Sequence, residues 1–539
     1  MDHNDNVYEA FQHTARAHPA ATFLHIPASA LPGATQAFEI TYAAALAQVD
    51  ALGADYRKAG YGVGHRVALL LANRPAFLFH YLALNGLGVS AVPLNPDYRE
   101  NELEYVLDHS EACLVVTLPD FASKLRSIGG ARPVVIDGER VPAPANRAAS
   151  QVAARGDECA LLYTSGTTGK PKGCLLTNDY TLTCGDYYNA EGGVCAIHPG
   201  TDRLITPLPL FHMNALLTST TAMILAAGCV IQIDRFHPKT WWSDVKSSGA
   251  TIVHYLGVMP AILLAQPPST EERAHQVRFG FGANANPKDH AAFEARFGFP
   301  LIEAWAMTET GAGAWITSSR EPRHVGTRCI GRPGPHLEWR LVDEHGQDVA
   351  LGEPGELLIR RKGPAPRRAF FSGYLKDPAA TAAAWQDGWF HTGDAMRVGN
   401  DGLFHFVDRR KNIIRRSGEN IAALEVEAAL ADHPAVKGIA VIAVPDPVRD
   451  EEVMACVVAA DGAARNADTA AAIQDLALSR LAYFKAPGYV LFIDSLPTTA
   501  TNKVQKAKLA DFGVQLGEGG ALPAGCFDLR DRKKRTTPN

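Results

Sequence analysis

The sequence predicts an α/β protein with a large N-terminal domain of helix-covered β-sheets, a β-rich subdomain and a small C-terminal α+β domain. Three observations support this class. Short apolar runs alternate with amphipathic runs up to His109, short runs separated by Gly- and Asp-rich turns follow residue 334, and a compact helix–strand pattern follows Asp408. Strands that alternate with helices favour a parallel sheet covered on both faces.

The N-terminal elements are predicted from hydrophobic spacing and from capping residues. Thr41 is a suitable N-cap for the second helix, which Gly60 would end. The predicted helices are 7–18, 41–60, 76–86 and 102–109, and the predicted strands are 67–71, 90–94, 203–206 and 251–255.

The rest of the chain changes character twice. Short strands are predicted at 337–342 and 355–360, within a β-rich part that covers about 334–408. Helices at 422–431 and 469–481 and strands at 438–444, 452–459 and 489–493 then predict the C-terminal domain. The predicted domains are therefore 1–408 and 409–515, and a basic, flexible tail is expected at 516–539.

Composition bounds the class of protein. Apolar residues make up 47% of the 539 residues and charged residues 20%, which is typical of a globular enzyme. The net charge of −5 gives no reason to expect nucleic acid as a partner. The nine cysteines are scattered without a CxxC pair, which fits reduced thiols and a cytoplasmic location. The polar N-terminus lacks a signal-peptide core, and 215–233 is expected to be a buried helix and strand rather than a membrane span.

A glycine-rich loop at 164–173 is the strongest local signal. Four hydroxyl residues, three glycines and two lysines lie between two apolar runs that are predicted to be strands. Glycines let the backbone approach an anion, and hydroxyl, amide and lysine groups bind its oxygens. The spacing is not that of a Walker loop, because Gly166 precedes Gly169 by three residues and Pro171 takes the place of the magnesium-binding hydroxyl. The loop predicts a polyphosphate site.

Four later clusters also fit nucleotide chemistry. Residues 304–309 place an aromatic ring near a carboxylate, and 389–394 place an acidic residue in a turn that suits a ribose diol. Residues 408–411 and 417–420 flank an apolar pair, and 497–506 form a polar loop around Lys503. Each cluster is weak alone, and their joint order carries the inference.

With these motifs, residues 7–510 resemble the adenylate-forming superfamily of acyl-CoA synthetases, adenylation domains and luciferases. Trp305 and Ala306 stand where that family usually has Tyr and Gly. The resemblance implies that ATP activates a carboxylic acid to an acyl-adenylate, which is then transferred to a thiol, commonly that of coenzyme A. Positioning and charge stabilisation at the α-phosphate would be the main catalytic tasks.

The resemblance implies a role for each motif residue. Thr308 would contact the α-phosphate, Glu309 would hold Mg²⁺, and Lys503 would bridge the attacking carboxylate and the α-phosphate. Trp305 would lie against adenine, and Asp394 and Arg409 would bind ribose. The expected phosphate-loop residues are Thr164, Ser165, Gly166, Thr167, Thr168, Gly169 and Lys172, and the further nucleotide contacts are Gly282, Ala283, Asn284, Glu303, Ala304 and Phe406.

The small domain has two expected faces. In the resembled family it is mobile and rotates about the position of Asp408, which exchanges the Lys503 loop for Ser417, Gly418 and Glu419. These three residues would then line the tunnel for the pantetheine arm of coenzyme A, where Gly418 lets the arm pass close to the backbone.

The acyl pocket is expected from segments 211–214, 254–257, 282–284 and 310–312. Its polar groups predict a small to medium-sized acid that carries a polar, charged or aromatic group. The candidate pocket residues are His212, Asn214, His254, Tyr255 and Gly311. His212 is also a candidate catalytic residue, although a gating or packing role is favoured for it.

Three alternatives stay open at this point. The enzyme could load the phosphopantetheine of a carrier protein instead of free coenzyme A, it could be a non-catalytic nucleotide-binding homologue, or it could carry out luciferase-type oxidation. Glu309, Asp394, Arg409 and Lys503 together argue against the non-catalytic reading. The sequence does not identify the acid, and it leaves the oligomeric state open, with a homodimer as one option.

Overall fold

The computed structural model describes residues 4–31, 33–128, 132–164, 170–343, 345–409, 413–497, 506, 508, 509, 512 and 522–534. The α-helices in these ranges are α1 (Val7–Ala17), α2 (Tyr42–Ala59), α3 (Pro75–Asn85), α4 (Glu100–Ser110), α5 (Pro119–Ile128), α6 (Asn178–Ala190), α7 (Thr220–Leu225), α8 (Trp241–Ser247), α9 (Val258–Ala265), α10 (Pro287–Phe297), α11 (Pro378–Ala384), α12 (Ala423–Leu430) and α13 (Ala467–Arg480). A π-helix covers Asn214–Ser219, and short 3₁₀ turns cover Ala28–Ala30, Gly193–Cys195, Gly311–Gly313 and Arg530–Arg532.

The strands in the same ranges are β1 (Thr22–Ile26), β2 (Phe38–Thr41), β3 (Arg66–Leu70), β4 (Ser90–Pro93), β5 (Leu114–Thr117), β6 (Val134–Ile136), β7 (Glu158–Thr164), β8 (Lys172–Thr177), β9 (Arg203–Thr206), β10 (Cys229–Gln232), β11 (Ile252–Leu256), β12 (Phe279–Ala283), β13 (Leu301–Trp305), β14 (Ile316–Thr317), β15 (Cys329–Pro333), β16 (Leu337–Val342), β17 (Gly355–Arg361), β18 (Gly373–Tyr374), β19 (Trp385–Gln386), β20 (Trp389–Val398), β21 (Phe404–Arg409), β22 (Ile413–Arg416), β23 (Glu419–Ala422), β24 (Val436–Asp446), β25 (Asp450–Ala459), β26 (Tyr489–Ile493) and β27 (Cys526–Asp528).

Local sequence explains where many of these elements begin and end. The Thr41 hydroxyl accepts a hydrogen bond from the Ala44 amide at the start of α2, and Gly60 ends that helix with a φ of 105°. The 215–233 segment forms the π-helix, α7 and β10, as a buried helix followed by a strand. Among the described helices, none combines the length and the apolar character that crossing a bilayer requires.

The chain folds into two compact units. The first unit contains Met1–Pro96, Leu107–Leu162 and Gly173–Asp408, and the second contains Asp97–Val106, Tyr163–Lys172 and Arg409–Asn539. The predicted seam at Asp408 coincides with the start of the long part of the second unit. Two short stretches within the predicted domain 1–408, at 97–106 and 163–172, are grouped with the second unit.

The first unit contains two sheets. The longer sheet has fourteen strands in the order β16-β17-β20-β21-β15-β14-β13-β12-β11-β9-β10-β1-β2, with β19 beside β20. Its central strands from β13 to β1 are parallel, and β2 pairs antiparallel at the edge. The second sheet has the order β18-β8-β7-β4-β3-β5-β6. The α/β class predicted from alternating runs is confirmed.

The β-rich part predicted at about 334–408 does not form a sheet of its own. Its strands β16, β17, β20 and β21 join β15, which continues through β14 to β13 of the parallel sheet. Strand β18 lies in the same stretch of sequence but pairs with β8 in the other sheet. This part of the chain therefore connects the two sheets of the first unit.

The second unit has its own sheet and its own apolar core. The sheet order is β23-β22-β25-β26-β27, with β24 beside β25, and the core includes Ile414, Val453, Ile473 and Phe492. Strand β27 and the turn that follows it lie in the stretch expected to be a flexible tail. That expectation is wrong for residues 522–534, because charge density alone does not show that Leu529 and Lys533 are buried.

Candidate functional site

The carboxyl ends of four parallel strands meet at one edge of the first-unit sheet. Strands β9, β11, β12 and β13 are neighbours there, and the segments that follow them carry His212, Gly257, Asn284 and Glu309 respectively. In open parallel sheets, ligands bind in the crevice outside these strand ends. The predicted acyl and nucleotide residues of the first unit are therefore gathered by the sheet topology.

Glu303 on β13 fixes the turn that follows β12. Its carboxylate accepts hydrogen bonds from the Tyr255 hydroxyl at 2.6 Å and from the backbone amides of Asn284 at 2.8 Å and Ala285 at 2.9 Å. Burial raises the pKa of Glu303, although these donors oppose the shift. Asn284 has a φ of 62°, a left-handed conformation that the hydrogen bonds from the Asn284 and Ala285 amides to Glu303 hold in place.

The nucleotide contact expected of Glu303 stays a prediction, and the structure shows that its carboxylate positions the backbone of 284–285. Its side chain is 3% exposed and is already bound to three protein donors. Position 282 requires glycine for a separate, steric reason, because a Cβ there would lie 2.2 Å from the Tyr255 carbonyl oxygen. Both features keep the backbone of 282–284 in one conformation at the strand ends.

Glu309 lies in a turn that aromatic hydroxyl groups hold. The Tyr374 hydroxyl donates to Glu309 Oε1 at 2.9 Å, and the Tyr180 hydroxyl donates to the Thr308 carbonyl oxygen at 2.9 Å. Burial, followed by the charge of Glu309, raises the pKa of Tyr374, so this hydroxyl remains a donor. Gly311 has a φ of 48°, and a Cβ there would lie 2.3 Å from the Tyr180 ring.

No group of three or more His, Cys, Asp and Glu side chains that could hold a metal occurs among the residues that the structure describes. A single carboxylate still fits Mg²⁺ when the other ligands are phosphate oxygens and water. Glu309 provides such a carboxylate, and its side chain is 7% exposed.

Trp305 and Asp394 are joined by a hydrogen bond that the sequence did not predict. The indole Nε1 donates to Asp394 Oδ2 at 2.9 Å, and both side chains are buried. Asp394 lies on β20, whereas Trp305 ends β13. The Trp that replaces the family's Tyr thus orients the predicted ribose carboxylate. Of the neighbouring predicted residues, Phe406 is buried, Ala304 is half-buried and Ala306 is exposed.

A buried network of neutral polar groups supports Asn214. His254 Nδ1 lies 2.9 Å from Asn214 Oδ1, and His254 Nε2 lies 2.9 Å from the Tyr188 hydroxyl. Burial lowers the pKa of His254 to about 3, so the ring is neutral. Nδ1 also lies 2.9 Å from the Ser219 hydroxyl oxygen. With Asn214 Oδ1 as an acceptor, Nδ1 carries the proton and Nε2 accepts from Tyr188. The Ser219 hydroxyl donates to the Asn214 backbone carbonyl oxygen at 2.8 Å.

The pocket roles expected of His254 and Tyr255 stay predictions, and the structure describes both side chains as buried. His254 is 0% exposed and Tyr255 is 2% exposed, and their polar atoms bind Asn214, Tyr188 and Glu303. These two side chains form the packed layer behind the site. His212 and Asn214 are half-buried at the start of the π-helix and remain candidates for contact with a substrate. π-Helical turns of this kind are frequent at functional sites.

Most of the other predicted residues belong to the second unit, whereas Asp408 ends the first unit. Thr164 ends β7 and Lys172 begins β8, whereas Ser165, Gly166, Thr167, Thr168, Gly169 and Lys503 lie outside the described residues. Asp408 and Arg409 lie at the end of β21, and their side chains are not described. Ser417 and Gly418 are exposed in the turn between β22 and β23, with φ values of 52° and 88°, and Glu419 begins β23.

Comparison with known protein families decides the class. The pattern of the AMP-binding enzymes matches residues 11–375, and that of the AMP-binding enzyme C-terminal domain matches residues 425–503. The chain belongs to the AMP-binding enzymes. This confirms the adenylate-forming resemblance drawn from the motifs.

Several proteins similar to this AMP-binding enzyme have a named activity or a solved structure. It is 32% identical over 471 residues to the crotonobetaine/carnitine–CoA ligase of Shigella sonnei, which covers 84% of the chain and 89% of that ligase. Two solved structures are similar over most of their length. An o-succinylbenzoate CoA synthetase from Bacillus subtilis has a TM-score of 0.80 at 25% identity and covers 94% of the chain and 98% of the synthetase. An amide bond synthetase from Marinactinospora thermotolerans has a TM-score of 0.79 at 25% identity and covers 94% and 99% respectively.

The residues that the sequence did not reveal are mainly tyrosines whose hydroxyl groups hold the candidate site residues. Tyr180, Tyr188 and Tyr374 hold Thr308, His254 and Glu309 across more than sixty positions of sequence. Local spacing contains no signal for such pairs. The only available hint was that each tyrosine lies near a motif or an apolar run, which is also true of ordinary core tyrosines.

Proposed function

We propose that this AMP-forming acid–CoA ligase activates a small to medium-sized carboxylic acid that carries a polar, charged or aromatic group. The class of reaction is ATP-dependent: the carboxylate and ATP give acyl-AMP and pyrophosphate, and a thiol then gives the thioester and AMP. The observation that carries the substrate proposal is the half-buried pair His212 and Asn214 at the carboxyl ends of the parallel strands.

Asn214 is the residue that we propose to select the polar group of the acid. Its Oδ1 faces the Nδ1–H of His254, so the amide is oriented with its NH₂ group at the opposite side. An NH₂ group donates to a carboxylate, carbonyl or hydroxyl oxygen. The similar ligases are named for crotonobetaine/carnitine and o-succinylbenzoate, which are acids with a further charged or polar group, although the trimethylammonium group of crotonobetaine offers no oxygen to an NH₂ donor.

The adenylation step assigns the remaining motif residues. A carboxylate oxygen attacks the α-phosphorus of ATP, and pyrophosphate leaves with the electron pair of the broken P–O bond. Thr308 would contact the α-phosphate, Glu309 would be the protein ligand of Mg²⁺, and Lys503 would stabilise the charge that develops. The proposed phosphate loop is 164–172. Asp394, oriented by Trp305, would bind ribose together with Arg409.

The thioester step assigns the second unit. The thiolate sulfur of coenzyme A attacks the acyl carbonyl carbon, and AMP leaves. Ser417, Gly418 and Glu419 would border the pantetheine arm, and the exposure of Ser417 and Gly418 supports this. We also propose a cytoplasmic location, because none of the nine cysteines, all of which are described, forms a disulfide.

An ATP–pyrophosphate exchange screen over short-chain, aryl and dicarboxylic acids tests the substrate class. We expect exchange with at least one polar or aromatic acid, and thioester formation when coenzyme A is added. Exchange that is strongest with palmitate would contradict the proposal. The acceptor is tested by offering coenzyme A, a phosphopantetheinyl carrier protein and an amine in parallel, since one similar structure is an amide bond synthetase.

Asn214 can be tested with a matched pair of variants. Asn214→Leu removes the donor at similar volume, and we expect the preference for the best polar acid over an unsubstituted acid of equal length to fall by about 10-fold. Asn214→Asp adds a negative charge and should reject a second carboxylate more strongly. Unchanged preference in both variants would exclude Asn214 as the selecting residue.

A further inference from the structure

The C-terminal segment 522–534 is an integral part of the second unit. Strand β27 pairs antiparallel with β26, which places Phe527 opposite Val490, and Leu529 packs into the core of the unit. The matched C-terminal family pattern ends at residue 503, so this segment lies beyond it. Packing alone would account for the strand, but it does not account for the charged residues that follow.

Lys533 places an ammonium-bearing side chain in the interior. Its Nζ donates to Glu452 Oε1 and to the Phe484 carbonyl oxygen, and the side chains of Lys533 and Glu452 are both 0% exposed. Lysine is almost never fully buried unless it has a partner. Glu452 is that partner, and it fixes Lys533.

Glu452 also binds the residue that precedes the predicted coenzyme A turn. Arg416 Nε donates to Glu452 Oε2 at 2.7 Å, and the Arg416 side chain is 4% exposed. Arg416 ends β22, and Ser417 follows it directly. Buried charges that share one carboxylate cannot move independently, because each displacement leaves a charge unpaired. Lys533 is therefore linked to the start of the turn through one carboxylate.

A second chain of contacts runs from Arg530 to the same turn. Arg530 Nη1 donates to Asp446 Oδ2 at 3.0 Å, and Asp446 Oδ1 accepts from the Arg449 amide at 2.8 Å. The Arg449 carbonyl oxygen in turn accepts from the Ser417 amide at 3.0 Å. The segment thus reaches Ser417 along the backbone as well as along the Arg416 side chain.

The turn needs such support. Ser417 and Gly418 both have left-handed φ values, 52° and 88°, as two-residue hairpin turns require. Glycine adopts this conformation freely, whereas serine does so at a cost and persists there only when the surroundings fix it. The two contact chains supply that fixation on the side of Ser417.

We propose that residues 522–534 are a brace that positions the 417–419 turn for thioester formation, with Lys533 and Arg530 as positioning residues. This inference rests on the proposed function, because it takes the turn as the place where the pantetheine arm passes. The brace acts in the second half-reaction. Adenylation, which we assign to Lys503, Arg409, the phosphate loop at 164–172 and first-unit residues, does not depend on it.

The test uses the full-length chain with Lys533→Met, Arg530→Met and the double variant. We expect the double variant to form thioester from acyl-adenylate about 10-fold or more slowly, since small misplacements at a reacting centre have effects of this order or larger. ATP–pyrophosphate exchange should be unchanged. Arg530→Lys, which keeps a donor for Asp446, should recover most of the loss caused by Arg530→Met.

Two control variants lie in the same segment. Lys534→Met changes the exposed neighbour of Lys533, and Arg532→Met removes an ion pair with Asp475 on α13 that does not lead to the turn. Both should leave the two half-reactions at wild-type rates. If they lower thioester formation as much as the Lys533 and Arg530 variants do, the segment acts by general stability and the brace is rejected.

Hydrogen exchange of residues 414–421 gives a readout that does not depend on activity. In the double variant we expect faster hydrogen exchange at 414–421 and unchanged hydrogen exchange in β24. Unchanged exchange at 414–421, or equal losses in both half-reactions, would overturn the inference. If the wild-type protein forms acyl-adenylate but no thioester with coenzyme A, the proposed function fails, and the exchange result alone then decides whether the brace exists.

Discussion

The two units hold their candidate sites with different kinds of interaction. In the first unit, hydroxyl and imidazole groups such as Tyr188, Tyr374 and neutral His254 position the polar residues at the strand ends. In the second unit, buried charges on Arg416, Glu452 and Lys533 position an exposed turn. Loss of one neutral hydrogen bond costs about 1 kcal/mol, whereas removing one partner of a buried charge pair leaves the other charge unpaired and costs about 3–5 kcal/mol.

The difference has consequences for pH and for the two half-reactions. Removing a group from the first-unit network should affect adenylation and substrate choice. Removing a group from the second-unit network should affect the thioester step. Variants that separate these effects test the comparison directly.

The largest effect is expected for Lys503→Ala. Loss of the ammonium that stabilises negative charge developing in the transition state should slow adenylation by about 10³-fold, while thioester formation from supplied acyl-adenylate stays close to the wild-type rate. Rapid-quench assays of each half-reaction measure this, with the exposed Lys508→Ala as the control. An equal loss of rate in both steps would reject the role of Lys503 in adenylation. The contrast with Lys533, which we expect to act only in the thioester step, would then disappear.

Trp305→Phe should have the next largest effect. The change keeps an aromatic ring but removes the donor to Asp394, and a hydrogen bond to a charged group contributes about 1.5–3 kcal/mol. We expect the KM for ATP in pyrophosphate exchange to rise by roughly 10–100-fold. Trp339→Phe, at a position 40% exposed on β16, is the matched control. An unchanged KM would show that Asp394 is held without the indole.

The two buried bases should respond in different pH windows. Burial lowers the pKa of His254 to about 3, and burial, with Arg416 adding to the effect and Glu452 opposing it, lowers that of Lys533 to about 7. Each group binds a proton more readily in the unfolded chain. Stability is therefore lost as pH falls from about 6.5 to 3 for His254 and from about 10.4 to 7 for Lys533, with a slope of up to about 1.4 kcal/mol per pH unit.

Chemical unfolding followed at several pH values measures these slopes. Lys533→Met should flatten the curve only above pH 7, and His254→Gln should flatten it only below about pH 6.5. Other titrating groups are shared with the wild type and cancel in the difference. A variant that flattens both windows equally would contradict the separation of the two networks.

The smallest effect is expected for Ser219→Ala. The hydroxyl donates to the Asn214 carbonyl oxygen in a neutral setting, so its loss should cost about 1 kcal/mol of stability. Thermal unfolding measures this, and the exposed Ser247→Ala is the control. A loss several times larger would mean that the neutral network is as tightly coupled as the charged one.

Local sequence was sufficient for the elements and for the reaction. The N-cap at Thr41, the helical spacing of apolar residues in α2 and the apolar runs at 438–444 and 452–459 depend on residues close in sequence. The predicted helices and strands agree with the observed ones to within a few positions. The class of enzyme followed from the order of short motifs. These motifs are short because binding and catalytic residues lie mostly on loops and at strand ends.

The tertiary structure decided which polar side chains are available. His254, Tyr255 and Glu303 have the residue types of a binding site, but their burial shows that they bind the protein itself. Hydrogen-bond partners such as Trp305 and Asp394 lie 89 positions apart, and no local pattern encodes them. The same holds for Lys533, whose basic surroundings predicted a solvated tail.

The sequence by itself determined the α/β class, the adenylate-forming chemistry and the order of its motifs, because these depend on spacing and residue type within short stretches. Only the tertiary structure decided that residues 522–534 are built into the second unit, that Trp305 holds Asp394, and that His254 stands behind Asn214. Those contacts depend on burial and on register between distant strands, which the fold as a whole sets.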